Sequence, residues 1–286
     1  MWKEIIHIEG PYDFDRVLER HALDPLNQLD LGKRTIKIPL CIKKESFVVE
    51  VAGLGTVEQP VFQIESRGPK TFILERVKET FQWNVSLQEV NRHFQQTNVK
   101  KLFTNHYGTP LVLDFDPLYC LFKCIIHQQL NLTFAHTLTE RFVKTYGFEK
   151  EGVWFYPCPE VVAKLTVEQL RELQFSGKKA EYVIGIAKLV VDGSLNIEEL
   201  KQKTDEQIYH QLIKIRGVGA WTIQNFLLFG LGRPNLFPLA DVGIQNAIKK
   251  LFNLEKKPTL EEMELYKQGW EPYLSYASLY LWRSIE

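Results

Sequence analysis

The chain has 286 residues, with 35 Lys and Arg against 35 Asp and Glu, 45% apolar residues and 24% charged ones; the length suggests two domains and the balance a folded, soluble protein. No apolar run approaches the ~20 residues that span a bilayer, and the amino-terminal stretch through Val17 lacks the basic start and apolar core of a secretory signal. Four cysteines (Cys41, Cys120, Cys124, Cys158) are too sparse for a disulfide scaffold and fit a reduced, cytoplasmic setting, whereas zero net charge neither proposes nor excludes a nucleic-acid partner, because local patches set the field that a polyanion meets.

Up to about residue 100 the pattern mixes α and β. A strand over 4–8 and a short helix over 11–20 come first. Alternating apolar residues then predict strands over 35–41, 46–51 and 61–65, with turns at Lys43-Lys44-Glu45 and Gly53-Leu54-Gly55. Phe72, Ile73, Val77 and Phe81 have helical spacing. An antiparallel sheet with one or two helices on one face is the natural assembly. Beyond Ser86 the β signal almost disappears. Helix starts recur instead, each a Ser or Thr with Glu or Gln three residues on: Ser86 and Glu89, Thr166 and Gln169, Thr204 and Gln207, Thr259 and Glu262. Asp116-Pro117 opens a strongly apolar helix, followed by helices over 177–191, 220–229 and 242–252 and one or two in 265–284. The expectation is an α+β chain: an amino-terminal domain over 1–100 and an all-α domain of some eight helices over 101–286.

The most informative stretch runs from Leu212 to Ile223. One apolar helix ends at Ile215, glycines flank Val218, and a second apolar helix follows at once. Gly217 and Gly219 permit positive φ or a close backbone approach. The amides of Val218, Gly219 and Ala220 then point outward at a helix start, which suits a phosphate. Taken alone, the same glycines also fit a tight turn between helices. Some twenty residues on, the loop Leu236-Phe-Pro-Leu-Ala-Asp241 delivers one carboxylate to the start of a helix. Asp is a favoured N-cap, and taken alone the residue reads mostly as one; set among apolar neighbours, a carboxylate can also stabilise a developing cation. Cys120 and Cys124 lie one helical turn apart, and without a partner pair they fit buried apolar positions better than metal ligands.

Taken together, Gly217-Val218-Gly219, Thr222 and the loop Asp241 resemble the helix-hairpin-helix DNA glycosylase superfamily, most closely its DNA-3-methyladenine glycosylase II branch. Pro11 to Phe14, Ile125 to Leu130, Phe175 to Ala180 and Trp270 to Tyr276 carry the resemblance over nearly the whole chain. It implies an amino-terminal fold like half of a TATA-binding protein, an all-α helix-hairpin-helix domain, and an enzyme that rotates a nucleotide out of duplex DNA into a pocket. Asp241 matches the catalytic aspartate. Trp221 stands where strand-cleaving members carry a nucleophilic lysine, so the resemblance implies base release without lyase activity. Trp221 and Trp282 match pocket aromatics whose π faces attract a cationic base, although Trp282 also reads as a core aromatic. Gln129 falls near the residue that fills the gap left in the duplex, within a register that spans Gln128 to Leu130. Arg216, Gly217, Val218, Gly219, Ala220 and Thr222 match the DNA-binding hairpin, with Lys214, Lys249 and Lys250 nearby. The carbonyls of Ile213, Ile215 and Val218 match those that hold a monovalent cation, Na+ or K+. With no cysteine after Cys158, the iron–sulfur loop of some relatives is not expected.

Arg216 replaces a frequent hairpin proline, Asn225 a tyrosine, and Val242-Gly243 bulkier residues, so the lesion range stays open. The implied activity is hydrolytic excision of alkylated purines of the 3-methyladenine and 7-methylguanine type by a monomer. A non-catalytic binder of damaged DNA and a glycosylase for oxidised or deaminated bases remain the alternatives.

Overall fold

Alternation of apolar and polar residues along each strand sets the architecture of the first half. Ile36, Ile38, Leu40 and Ile42 turn inward from one strand, and Val49 and Val51 from the next. The computed structural model describes residues 1–42 and 45–285; Lys43 and Lys44 of the expected turn lie outside them. Strands β1 (Trp2–His7), β2 (Gln28–Asp30), β3 (Thr35–Ile42), β4 (Glu45–Gly53) and β5 (Val61–Ser66) form one antiparallel sheet in the order β1-β5-β4-β3-β2. Val51 pairs with both Ile36 and Ile64, which fixes the register so that all three face the core. Helices α1 (Phe14–Ala22) and α2 (Lys70–Thr80) cover that face with Phe14, Val17, Leu18, Ile73 and Val77. Short helices α3 (Leu87–Phe94) and α4 (Lys100–Asn105) complete this half.

The second half is helical: α5 (Pro117–His127), α6 (Leu132–Tyr146), α7 (Pro159–Val162), α8 (Val167–Glu172), α9 (Gly177–Val191), α10 (Ile197–Lys201), α11 (Asp205–Leu212), α12 (Ala220–Asn225), α13 (Val242–Leu251), α14 (Leu260–Tyr266) and α15 (Leu274–Arg283). The α+β class matches the expectation. The capping signals are physically realised: Thr166, Thr204 and Thr259 each complete a reciprocal capping box, and Ser86 accepts the Glu89 amide. Three departures stand out. The helices are shorter and more numerous than the expected eight. A small hairpin, β6 (Phe148–Lys150) with β7 (Val153–Phe155), interrupts them, turning on Glu151 and Gly152, both at positive φ. And the helix expected over 220–229 changes pitch, running on from α12 as a π-helical turn, Phe226–Gly230.

Two apolar cores hold the molecule. One joins the sheet, α1 and α2 to Ile244, Ile248, Met263, Trp270, Tyr276 and Tyr280 from α13–α15 and the segment before α15. The other lies among α5, α6, α9, α11 and α12. The first core thus draws residues from both sides of position 100. Among the described residues, no helix is long and apolar enough to cross a membrane.

Candidate active site

The hairpin between α11 and α12 is built by its glycines, each in a different way. Gly217 has φ +90°, and a Cβ there would lie 2.2 Å from the Tyr182 ring. Gly219 is the N-cap of α12 at φ −105°, and a Cβ there would meet nothing within 4 Å. The first glycine is thus needed for the turn, while the second leaves the helix start open to an approaching group. Gln128, just after α5, clamps the hairpin from behind: its Nε2 donates to the Gly217 carbonyl (2.9 Å) and to Thr222 Oγ1 (2.8 Å). Lys179 of α9 in turn donates to the carbonyls of Ile126 and Gln128, which closes the carboxyl end of α5.

Gln129 has φ +55° and is exposed at the loop tip, so the chain turns Gln128 inward and Gln129 outward. Thr222, expected on the DNA face, is instead buried with its hydroxyl engaged by Gln128: it holds the hairpin together. Arg216 is exposed, paired with Glu181 at 2.8 Å and lying over the Tyr182 ring. Ala220 opens α12, its side chain exposed, whereas the Val218 side chain is buried beneath the turn. The Ile215 carbonyl accepts the Val218 N–H (3.0 Å), while no described group donates to the carbonyls of Ile213 or Val218.

Asp241 caps α13. Its Oδ1 accepts the Ile244 N–H and the Trp282 indole N–H, each at 2.9 Å, and its Oδ2 accepts nothing from the described residues. The loop that carries it is fastened to α15: the Leu236 amide donates to Ser275 Oγ, and Ser278 Oγ donates to the Leu236 carbonyl. Because α15 also supplies Trp282, one helix fixes both the loop and the carboxylate orientation. Trp282 is therefore the holder of Asp241, and neither residue is among those that line the neighbouring cavity.

That cavity, of about 260 Å³, opens between α1 and the helical core. Trp221, 44% exposed, and Asn225 of α12 stand on its wall with Phe229 of the π-helical turn. Phe229 of the cavity wall packs at 6.1 Å from Trp282, the residue that holds Asp241. A π-helical turn, a recurrent feature of functional sites, re-aims the residues that follow it.

Charged groups that the sequence did not single out line the cavity. Lys123 pairs with Asp114 and lies 3.5 Å from Asp24. Burial opposes its charge, but the two carboxylates outweigh burial and hold the ammonium well above the lysine range. Burial likewise pushes the Asp114 carboxyl up, and Lys123 more than reverses the effect. His21 and His127 are drawn down to about 3 by burial, and burial lowers His136 too, so all three are neutral near pH 7. Cys120 and Cys124 also line the cavity as buried, free thiols, and the described residues contain no cluster of three or more potential metal-ligating side chains. No local pattern assigns these roles to Gln128, Lys179, Asp24 or Asp114: each acquires its role from a partner distant in sequence.

A hairpin stapled to the end of an apolar helix, a capped carboxylate loop and a cavity between sheet and helices define the helix-hairpin-helix class of base-excision proteins. The chain belongs to the HhH-GPD superfamily of base excision DNA repair proteins, whose profile matches residues 122–272. It is 51% identical over 287 residues to the putative DNA-3-methyladenine glycosylase YfjP of Bacillus subtilis, covering 100% of both chains. It is 39% identical over 181 residues to the DNA-3-methyladenine glycosylase of the same organism, covering 62% of this chain and 60% of that one. The fold is shared with the 3-methyladenine DNA glycosylase of Archaeoglobus fulgidus, at a TM-score of 0.85 and 23% identity, over 99% of this chain and 97% of that one.

Proposed function

We propose that the protein is a monofunctional DNA glycosylase that rotates alkylated purines, of the 3-methyladenine and 7-methylguanine type, out of duplex DNA and releases them by hydrolysis. The names of its relatives support the lesion class. The observation that carries the chemistry is the asymmetry of Asp241: Oδ1 is held by two donors, and Oδ2 is left for the substrate. A carboxylate fixed in this way stabilises the positive charge that develops at C1′ as the glycosidic bond lengthens, and accepts a proton from the attacking water. A cationic alkylated base departs as a neutral molecule, so one carboxylate suffices. Among the described residues of the cavity wall, Lys123 is the one lysine and is tied to Asp114, while Trp221 offers no amine; both favour hydrolysis over Schiff-base chemistry.

The open start of α12 is suited to a backbone phosphate, with Arg216, Gly217, Val218, Gly219 and Ala220 around it. The Ile213 and Val218 carbonyls, with Ile215, suit Na+ or K+, which would bridge the turn to that phosphate. In this reading Gln129 fills the gap in the duplex, Trp221 stacks on the extruded base, and the protein acts as a cytoplasmic monomer without an iron–sulfur cluster. The test is chromatography of bases released from methylated duplex DNA. Wild type is expected to release 3-methyladenine and 7-methylguanine, and Asp241→Asn to bind an abasic duplex as wild type does but release neither. Excision by Asp241→Asn at the wild-type rate would refute the assignment.

A further inference from the structure

Four residues, Gln128 to Asn131, join α5 to α6, and three of them are committed. Gln128 reaches into the hairpin, Leu130 packs against the second core, and Asn131 caps α6 by accepting the Phe134 amide at 2.9 Å. Gln129 alone is left over: it is exposed, and its side chain bonds to nothing among the described residues. Its φ of +55° is a left-handed conformation that a residue with a side chain resists, so the surrounding structure must impose it. The Lys179 ammonium is what reaches the loop from outside. It donates to the Ile126 carbonyl at 2.6 Å and to the Gln128 carbonyl, with the Ile125 carbonyl at 3.3 Å. These acceptors run from the last turn of α5 to the residue just before Gln129, so one cation ties the loop to the helix end. From the other side the His127 carbonyl accepts the Leu130 amide at 3.3 Å. Lys179 is the third residue of α9, where a cation opposes the dipole of its own helix and instead complements the carboxyl end of α5. Further along α9, Glu181 pairs with Arg216 and the Tyr182 ring lies against Gly217. The first two turns of α9 therefore touch both the loop and the hairpin and set the spacing between them.

Resting on the glycosylase reading above, in which Gln129 enters the duplex, we infer that Lys179 is a positioning residue for base extrusion: it holds the α5–α6 loop so that Gln129 projects in one fixed direction beside the docked hairpin. A side chain that replaces an extruded nucleotide in the stack helps most when it is already ordered, because ordering a loose loop in the complex costs binding free energy. Lys179 supplies that order through three carbonyls and touches no substrate. Its effect therefore falls on the step that opens the duplex. Docking on undamaged DNA, which relies on the open start of α12, is left as it is.

The experiment measures single-turnover release of 7-methylguanine from a defined duplex at saturating full-length protein. Alongside it, the fluorescence of a 2-aminopurine placed beside the lesion reports unstacking. Gln129→Ala and Lys179→Met are each expected to slow release about tenfold or more and to weaken the fluorescence rise. Affinity for undamaged duplex is expected to stay within about threefold of wild type in both. The double variant is expected to be no more than about threefold slower than the slower single variant, because both changes act on one step. Lys179→Arg keeps a cation with several donors and is expected to recover most of the rate and of the fluorescence rise. Losses that multiply in the double variant would overturn the inference, as would a Lys179→Met that loses duplex affinity in step with rate; both indicate a general structural role. So would wild-type release by either single variant, or a Lys179→Arg as slow as Lys179→Met. Release of no 7-methylguanine by wild type would instead overturn the glycosylase reading itself.

Discussion

Asp241 and Trp282 are separated by 41 positions and joined by one hydrogen bond. The carboxylate was legible in the sequence because a proline-held loop entering a helix, some two dozen residues beyond a glycine hairpin, is a local pattern. The tryptophan was legible as an aromatic with two candidate roles, core or pocket, and its position gives it a third. That role depends on how α15 crosses the start of α13, a tertiary relation no spacing rule encodes. Gly243 belongs to the same arrangement: a Cβ there would come within 3.0 Å of Asp241 Oδ1 and 3.1 Å of the Trp282 ring. A small residue after the aspartate is therefore what lets the indole reach the carboxylate. Trp282→Phe keeps a ring against Phe229 and removes the N–H. A hydrogen bond to a charged acceptor is worth about 1.5–3 kcal/mol, so base release is expected to slow by about ten- to a hundredfold. Affinity for an abasic duplex should stay at the wild-type value. Single-turnover release with enzyme in excess, alongside a binding titration, checks this; an unchanged rate would mean that Asp241 needs no second donor.

At the scale of elements, the hairpin is where the sequence was most informative and also most ambiguous. Two glycines two residues apart fit both a phosphate cradle and a plain turn, and the structure divides the two properties between them. Gly217 serves the turn through its positive φ and its contact with Tyr182; Gly219 has an ordinary φ and open space. The two alanine variants should therefore behave differently. Gly217→Ala places a methyl into the Tyr182 ring at a left-handed backbone position, with a stability loss of about 3 kcal/mol or more expected from strain and overpacking together. Gly219→Ala is expected to change stability by less than about 1 kcal/mol while weakening binding to undamaged duplex several-fold, because the methyl projects where a phosphate would approach. Denaturant unfolding and a salt-dependent binding titration separate the two effects. Equal stability losses would show that both glycines are turn residues. The clamp behind the hairpin was not legible for a simple reason: Gln128 and Gln129 are the same residue type side by side, and only the positive φ at Gln129 decides which one turns inward.

Across the whole molecule, the strands of the first half were readable because each buries one side, whereas the β6–β7 hairpin was not, since its strands are three residues long and its turn begins on a glutamate rather than Asn or Asp. The closing of α13–α15 over the amino-terminal core was equally hidden, because a helix shows its apolar face but not what covers it. The cavity wall itself comes from α1, α5, α6 and α12 with Val112 to Asp114 and Phe229, and it holds neutral histidines. His21 and His127 have pKa values drawn down to about 3 in the folded protein, against roughly 6.5 in an unfolded chain. With the folded value below the unfolded one, the unfolded chain takes up protons first, so this contribution is complete above about pH 6.5 and is lost as the pH falls toward 3. Each residue should withdraw about 2 kcal/mol of stability between pH 7 and pH 5. His21→Phe, which preserves the stack on Phe115, is expected to lose about 2 kcal/mol less than wild type over that interval, whatever its stability at pH 7. Urea unfolding at pH 7, 6 and 5 measures the difference. Parallel curves for wild type and variant would show that His21 takes up its proton in the folded protein as readily as in the unfolded chain, and that at pH 5 the cavity wall carries one more positive charge than its geometry implies.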